Sequence, residues 1–203
     1  MNSVIFREMS CVMYHRLGVL VKSCGRNNGA HTVLFHAVSD GLVVALQFYR
    51  KEMVMLIGLS PYVGYFREVA RGVRDGCPDA IRQMAWHLTG MIHGQHRIIP
   101  MPSHLGYPTN ILNVSQEMEV ISEGRLVSCP VLKSKPHHSH YMIKKWGMTP
   151  PEAQMFLDDG FVPSVDDIVI DNVIDTGATA NAALKVLPMA NVLCLCKRHG
   201  GWL

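Results

Sequence analysis

The stretch that decides the fold of this chain is DDIVIDNVIDTGATANAALKVL, residues 166–187. The tripeptide Ile-Val-Ile at 168–170 is β-branched throughout, which is typical of a strand buried on both faces of a parallel sheet. We predict a strand over 168–171, then a short turn, then a helix over 179–187. A strand that leads directly into a helix is the repeating unit of α/β folds.

The turn between this strand and this helix has the composition of an anion site. Its residues are small or carry hydroxyl groups: Thr176, Gly177, Ala178 and Thr179. Backbone N–H groups at a helix start lack intrahelical partners, and the positive end of the helix dipole lies there. Gly177 lets the backbone close on an anion. Asp171 and Asn172, at the end of the predicted strand, can hydrogen-bond neighbouring hydroxyls of a sugar. The sequence therefore predicts a phosphate site beside a diol site.

Strands and helices alternate over most of the remaining chain. Further helices are predicted over 60–74, 77–93, 110–123 and 149–157. Further strands are predicted at the start of 97–104 and over 127–132 and 191–196. This alternation predicts a doubly wound, mainly parallel sheet.

Two regions depart from the alternation. Residues 1–59 are rich in strand-like runs, with a hairpin signal at Ser39-Asp40-Gly41, and we expect a small portion packed on a main domain formed by 60–203. Residues 133–149 are polar and basic with no apolar period, so we predict a long mobile loop there. Its histidines, at 137, 138 and 140, have no acid or cysteine near them in sequence, and no protein metal site is predicted.

Composition limits the function classes. With 203 residues, of which 48% are hydrophobic, the chain suits one globular domain. The net charge of +3 fits an anionic small molecule, and the scattered Lys and Arg residues do not predict a nucleic-acid partner. The first 18 residues include Arg7 and Glu8 within their apolar part, so they make a poor signal peptide. The apolar run over 53–66 is too short to span a bilayer. Six cysteines without a CxxC pair predict reduced thiols. We expect a cytoplasmic protein without a membrane partner.

The run IVIDNVIDTGAT, residues 168–179, resembles the phosphoribosyl-pyrophosphate (PRPP) signature of type I phosphoribosyltransferases. In that signature a hydrophobic strand is followed by two acids, two variable residues and Thr-Gly-small-Ser/Thr. Asn172 stands where the family has its second acid. IIPMPSH at 98–104, followed by GYPTNILN at 106–113, resembles the Pro-x-Pro turn and RGFN-type helix of the ComF-like branch, without its Arg and Phe. The zinc module of that branch is also absent. An ordinary strand, turn and helix remains the alternative interpretation.

The resemblance implies a set of roles. PRPP would be held at its ribose and 5′-phosphate by Asp171, Asn172, Asp175, Thr176, Gly177, Ala178 and Thr179. Ser103 and His104 would contact pyrophosphate, and Mg²⁺ would be bound mainly through PRPP. Residues 133–149 would form a flexible hood over the site. Asp175 is the candidate general base, as in purine-salvage members with an Asp-Thr-Gly turn. Lys197 would contact the acceptor, and Trp202 has a ring that can stack on it.

Two functions follow from these expectations. The first is a Mg²⁺-dependent phosphoribosyltransferase that acts on a nitrogenous acceptor such as a purine. The second is a catalytically weak or inactive PRPP-binding regulatory protein, or a competence-related accessory protein. Asn172 and the missing Arg favour the second, whereas Asp175 and the intact Thr-Gly-Ala-Thr turn favour the first. The sequence leaves open whether the protein forms a homodimer.

Overall fold

The computed structural model describes residues 19–27, 30–37, 46–48, 56–136, 154–175 and 177–197. The strands are β1 (Val19–Asn27), β2 (Ala30–Ala37), β3 (Leu46–Phe48), β4 (Leu56–Pro61), β5 (His96–Pro100), β6 (Leu126–Ser128), β7 (Leu132–Ser134), β8 (Met155–Leu157), β9 (Asp167–Ile174) and β10 (Asn191–Lys197). The helices are α1 (Gly64–Arg74), α2 (Pro78–Thr89), α3 (Asn110–Ile121) and α4 (Ala178–Val186).

The main sheet has five strands in the order β4-β10-β9-β5-β6. Each neighbouring pair in this sheet is parallel. Strand β9 lies in the middle, which explains why its first four residues are all buried. The structure therefore confirms an α/β fold built on a parallel sheet.

Helices cover both faces of this sheet. On one face, α1, α2 and α3 bury Val73, Met84, Leu88, Val114 and Met118 against strand residues that include Ile170. On the other face, α4 packs Ala180 and Ala183 against Val169 and Val192. Burying a large apolar side chain contributes roughly 1.5–3 kcal/mol to stability. The two apolar layers thus hold the central strand, and with it the polar residues at its end, in place.

Several predicted elements have the expected bounds or nearly so. Helix α2 begins after Cys77 with proline at its first turn, and α3 and α4 start within one residue of their predicted positions. Strand β9 continues to Ile174, three residues beyond the prediction. The polar pair at 171–172 suggested an early end, but backbone pairing with β10 persists to Ile174.

The prediction of a helix start at Ser60-Pro61 was wrong. Both residues belong to edge strand β4, where they pair with Cys196 and Lys197 of β10. Proline is tolerated at the end of an edge strand because its missing N–H needs no partner there. Helix α1 begins only at Gly64. Because β4 starts at Leu56, the main sheet also includes residues from the predicted N-terminal portion.

Two further predictions need correction. The single strand over 127–132 is two strands, β6 in the main sheet and β7 in an antiparallel pair with β8. Pro130 lies between them and cannot donate a backbone hydrogen bond. The end of the predicted helix over 149–157 is strand β8. Pairing with β7 determines the conformation of residues 155–157, whereas residues 149–153, which include the capping pattern, lie outside the described part of the chain.

Other predictions fall wholly or partly outside the described residues. Strands β2 and β3 pair in the antiparallel sense expected of a hairpin, but the turn at 39–41 is not among the residues described. The predicted loop over 133–149 begins inside β7, and its part from 137 onward is outside the description. Within the described ranges, no helix has the length and apolar character needed to cross a membrane.

Candidate functional site

A cleft of about 310 Å³ lies at the carboxyl end of β9. Helix α1 and the residue that follows β4 contribute one set of lining residues: Tyr62, Ala70, Arg71 and Arg74. Strand β9, the turn after it and the first residues of α4 contribute the other: Asp171, Asn172, Val173, Ile174, Asp175, Gly177, Ala178, Thr179 and Ala180. Ligands of open α/β sheets bind outside the carboxyl ends of the strands, and this cleft has that position.

The turn between β9 and α4 has a backbone that requires glycine. Gly177 is the N-cap residue of α4 and adopts φ 80°, in the left-handed region. Its carbonyl accepts the N–H of Asn181 at 2.8 Å, which closes the first helical turn. A Cβ atom placed on Gly177 would meet no atom of the described residues within 4 Å. The turn thus presents a helix start to the cleft.

Asp171 has an unusual environment for a carboxyl group. Its Oδ1 accepts the backbone N–H of Asn172 at 2.7 Å. Burial raises the pKa of Asp171 to about 7, although this hydrogen bond acts in the opposite direction. Asp171 lies beside Cys194 of β10, and burial, together with the Asp171 charge, raises the pKa of that thiol. Near neutral pH the Asp171 carboxyl can therefore donate or accept a hydrogen bond.

Asn172 joins the strand to helix α1. Its Nδ2 donates to the carbonyl oxygen of Ala70 at 2.7 Å. Its Oδ1 is buried and has no hydrogen-bond partner among the described residues. A carboxylate has no N–H and cannot make the bond to Ala70. Asn172, which stands where the signature that this run resembles has its second acid, is therefore a structural amide in this fold.

Asp175 and the rest of the predicted phosphate turn are brought together. Asp175 is exposed and lines the same cleft as Asp171, and Gly177, Ala178 and Thr179 lie in the same lining. Thr176 falls outside the described residues. Two carboxylates, one amide and a helix start thus share one cleft, which is a set of groups suited to a phosphorylated sugar.

Helix α1 adds two cationic residues that the sequence did not predict as site residues. The Nη1 of Arg71 lies 3.4 Å from Oε1 of Glu68, and the Nε of Arg74 lies 3.0 Å from Oδ1 of Asp75. The hydrogen bond to Asp75 is the main cause that raises the pKa of Arg74 above its usual value. The spacing of Arg71 and Arg74 places them on one helix face, but only the tertiary structure shows that this face reaches the cleft.

Ser103 and His104 follow β5 but do not line this cleft. The hydroxyl of Ser103 donates to the carbonyl oxygen of Tyr107 at 2.9 Å and accepts the N–H of Leu105 at 3.2 Å. These bonds hold a tight turn. His104 is exposed. Their contact with pyrophosphate remains a prediction.

The two predicted acceptor residues have different outcomes. Lys197 ends β10, where burial lowers its pKa to about 8 and its backbone carbonyl accepts the N–H of Tyr62 at 2.8 Å. Lys197 is not among the residues that line the cleft, but Tyr62, to which it is hydrogen-bonded, is one of them. Trp202 is outside the described residues.

Comparison with known proteins adds no relative: no family model matches this chain, and no curated protein matches it. Among the described residues, no group of three or more His, Cys, Asp or Glu side chains is placed to hold a metal ion by itself. The cleft does contain the carboxylates of Asp171 and Asp175. Oxygen ligands of this kind suit Mg²⁺, which commonly takes one or two protein carboxylates together with substrate phosphates.

Proposed function

We propose that this protein is a Mg²⁺-dependent phosphoribosyltransferase that moves the phosphoribosyl group of PRPP to a nitrogenous acceptor and releases pyrophosphate. The observation that carries the proposal is the glycine turn at Gly177, which opens a helix at the carboxyl end of the central strand and faces a cleft that also contains Asp171 and Asp175. The PRPP-type motif and the antiparallel β7-β8 pair that bounds the hood segment support it.

In this proposal the turn holds the 5′-phosphate. The backbone at 177–179 supplies N–H groups and the positive end of the α4 dipole, and the hydroxyls of Thr176 and Thr179 add donors. Asp171 contacts the ribose hydroxyls. Asn172 contributes less to the sugar than an acid would, since its amide donates to Ala70. Magnesium, when bound with PRPP, neutralises the charge of the pyrophosphate group.

The reaction breaks the bond between the anomeric carbon and a pyrophosphate oxygen, and positive charge develops on the ribose ring. The acceptor nitrogen forms the new bond to that carbon and loses its proton. Asp175 takes this proton as general base, because it lies at the cleft directly before the phosphate turn. Lys197 and Trp202 orient the acceptor, and Ser103 and His104 approach pyrophosphate when the hood closes.

A second candidate function is a PRPP-binding protein without turnover. The observation that favours it is the hydrogen bond from Asn172 to Ala70, because it commits the position of the second acid to holding β9 against α1. Such a protein would keep the ligand site while it regulates or accompanies another activity.

Turnover separates the two candidates. The protein is incubated with PRPP, Mg²⁺ and a panel of nitrogenous bases while pyrophosphate release is followed. With the best acceptor, we expect Asp175→Asn to lower kcat by about 10²–10⁴-fold and to leave PRPP affinity nearly unchanged, since only the proton acceptor is lost. Asp159→Asn, which changes an exposed acid outside the cleft lining, is the control.

Each outcome decides between the candidates. Wild-type turnover that survives in Asp175→Asn within a few-fold would remove Asp175 from the mechanism. PRPP binding without turnover on any base would support the binding protein, and absence of both would contradict both candidates.

A further inference from the structure

Helix α1 carries an arginine pair into the cleft for which the resemblance to phosphoribosyltransferases predicts no role. Arg71 and Arg74 are three residues apart, so they project from one face of the helix. Both line the cleft that contains the turn at 177–179. The residues that line the cleft therefore include the start of helix α4 and, from a different element, two arginines of α1.

These guanidinium groups can bind a ligand at little cost to the fold. The side chains of Arg71 and Arg74 are 48% and 68% exposed, and their carboxylate partners are exposed as well. Exposed ion pairs contribute little to stability. Each guanidinium has five N–H donors, of which Glu68 accepts one from Arg71 and Asp75 accepts two from Arg74. Among the described residues, the other N–H donors of the two guanidinium groups have no acceptor, so they can bind an anion.

The arginines also stand on an element whose position is well defined. Three carbonyl oxygens of α1 accept hydrogen bonds from three other elements. Cys196 of β10 donates to Phe66, Asn172 of β9 donates to Ala70, and Asn110 of α3 donates to Arg74. These bonds tie α1 across the carboxyl ends of the central strands. A binding group on a rigid element needs little reorganisation when its ligand arrives.

We propose that Arg71 and Arg74 form a second anion subsite, so that the cleft takes a ligand set with two separate anionic groups, one at the turn and one at α1. The inference rests on the proposed function for the location of the first group. Guanidinium forks bind phosphates and carboxylates in the same bidentate way. The second group is therefore either the pyrophosphate of the donor or a carboxylate of the acceptor.

Matched ligand pairs test this subsite. Isothermal titration measures PRPP against ribose 5-phosphate, which differ in the pyrophosphate group. It also measures orotate against uracil in the presence of ribose 5-phosphate, and these bases differ in one carboxylate. The variant is Arg71→Gln/Arg74→Gln. The control is Arg67→Gln/Arg82→Gln, because these two arginines also form exposed ion pairs but do not line the cleft.

We expect the variant to bind one of the more anionic ligands roughly 10- to 100-fold more weakly, the usual effect of lost charged hydrogen bonds, with its partner ligand and the control variant nearly unchanged. A loss confined to PRPP identifies pyrophosphate as the second group, and a loss confined to orotate identifies a carboxylate. Equal losses for both members of a pair, or no loss at all, would overturn the subsite. Should ribose 5-phosphate fail to bind wild type while pyrophosphate binds through the arginines, the proposed function would fail and the subsite would stand.

Discussion

Arginines at the amino ends of the parallel strands and arginines at their carboxyl ends have opposite roles. At the amino ends of the strands, the Nε of Arg97 donates to Asp167 at 2.6 Å, and its Nη2 donates to the carbonyl oxygen of Val162 at 2.9 Å. The guanidinium also lies 4.4 Å from the ring centre of Phe161. At the same end of the sheet, Arg125 donates to the backbone carbonyl oxygens of Ile92 and Gly94. At the carboxyl ends of the strands, the ion pairs that Arg71 and Arg74 form with other described residues are to exposed neighbours on or just after their own helix.

The volume of a depression alone would point to the wrong end of the sheet as the ligand site. Arg97 and Arg125 line a depression at the amino ends of the strands. Its volume is about 1010 Å³, compared with about 310 Å³ for the cleft. In the larger depression the cations serve the protein's own carbonyls and a buried carboxylate. In the smaller one, Arg71 and Arg74 share the lining with a helix start and two acids. A candidate ligand site is therefore better recognised by side chains that can form further hydrogen bonds than by the volume of the depression.

Among the substitutions, the largest loss of stability is expected at Arg97. Arg97→Leu leaves Asp167, which is fully buried, without its charged partner, and we expect the free energy of unfolding to fall by about 3–5 kcal/mol. Arg82→Leu breaks the exposed pair with Glu117 and should cost less than about 1 kcal/mol. Chemical denaturation of both variants measures the difference. Similar losses in the two proteins would remove the distinction between structural and available arginines.

A smaller effect is expected at Asn172. Asn172→Asp replaces the donor to Ala70 with a carboxylate that faces a carbonyl oxygen, and the free energy of unfolding should fall by about 1–3 kcal/mol at neutral pH. Asn113→Asp, at an exposed position of α3, should leave stability nearly unchanged. Thermal and chemical denaturation provide the measurement. An aspartate tolerated at 172 without loss would show that the bond to Ala70 is dispensable and that a second acid fits the site.

A further effect is the pH dependence that Asp171 brings to the cleft. Its pKa is about 7 in the folded protein and about 4 in an unfolded chain. Between these values the folded protein holds a proton that the unfolded chain has released. The free energy of unfolding therefore contains a contribution that falls as the pH rises from about 4 to about 7.

Asp171→Asn lacks this contribution. Denaturation of both proteins at pH 5, 6, 7 and 8 should show wild type losing stability relative to the variant up to about pH 7, with no further change above it. A difference between the two proteins that stays constant over this range would contradict the raised pKa.

The central strand, turn and helix could be predicted from the sequence because the residues that determine them are adjacent in the chain. The β-branched run before Asp171, the glycine turn at 177 and the alanine-rich helix are adjacent, and the strand, turn and helix follow in the predicted order. Strand β8 was missed since its pairing with β7 is not local.

The cleft wall formed by α1 could not be predicted for the same physical reason. The bond from Asn172 to Ala70 joins residues 102 positions apart, and it is one of the contacts that fix the path of α1. Without that path, Arg71 and Arg74 are only two charges on an amphipathic helix. Asn172 also looked like a weakened diol ligand in sequence, whereas its amide has a structural role.

Two matched glycine variants test whether the turn at Gly177 holds a phosphate. Gly177 and Gly160 have φ 80° and 83°, and a Cβ on either would meet no atom within 4 Å in the part of the chain that the structure describes. Gly177→Val and Gly160→Val should therefore carry similar backbone strain, of order 1–3 kcal/mol. Only the first places a branched side chain at the cleft.

The measurement is the rise in Tm that PRPP with Mg²⁺ causes in wild type and in each variant. We expect a rise in wild type and in Gly160→Val, because a ligand that binds the folded state stabilises it, and no rise in Gly177→Val. An undiminished rise in Gly177→Val, or none in wild type, would contradict it.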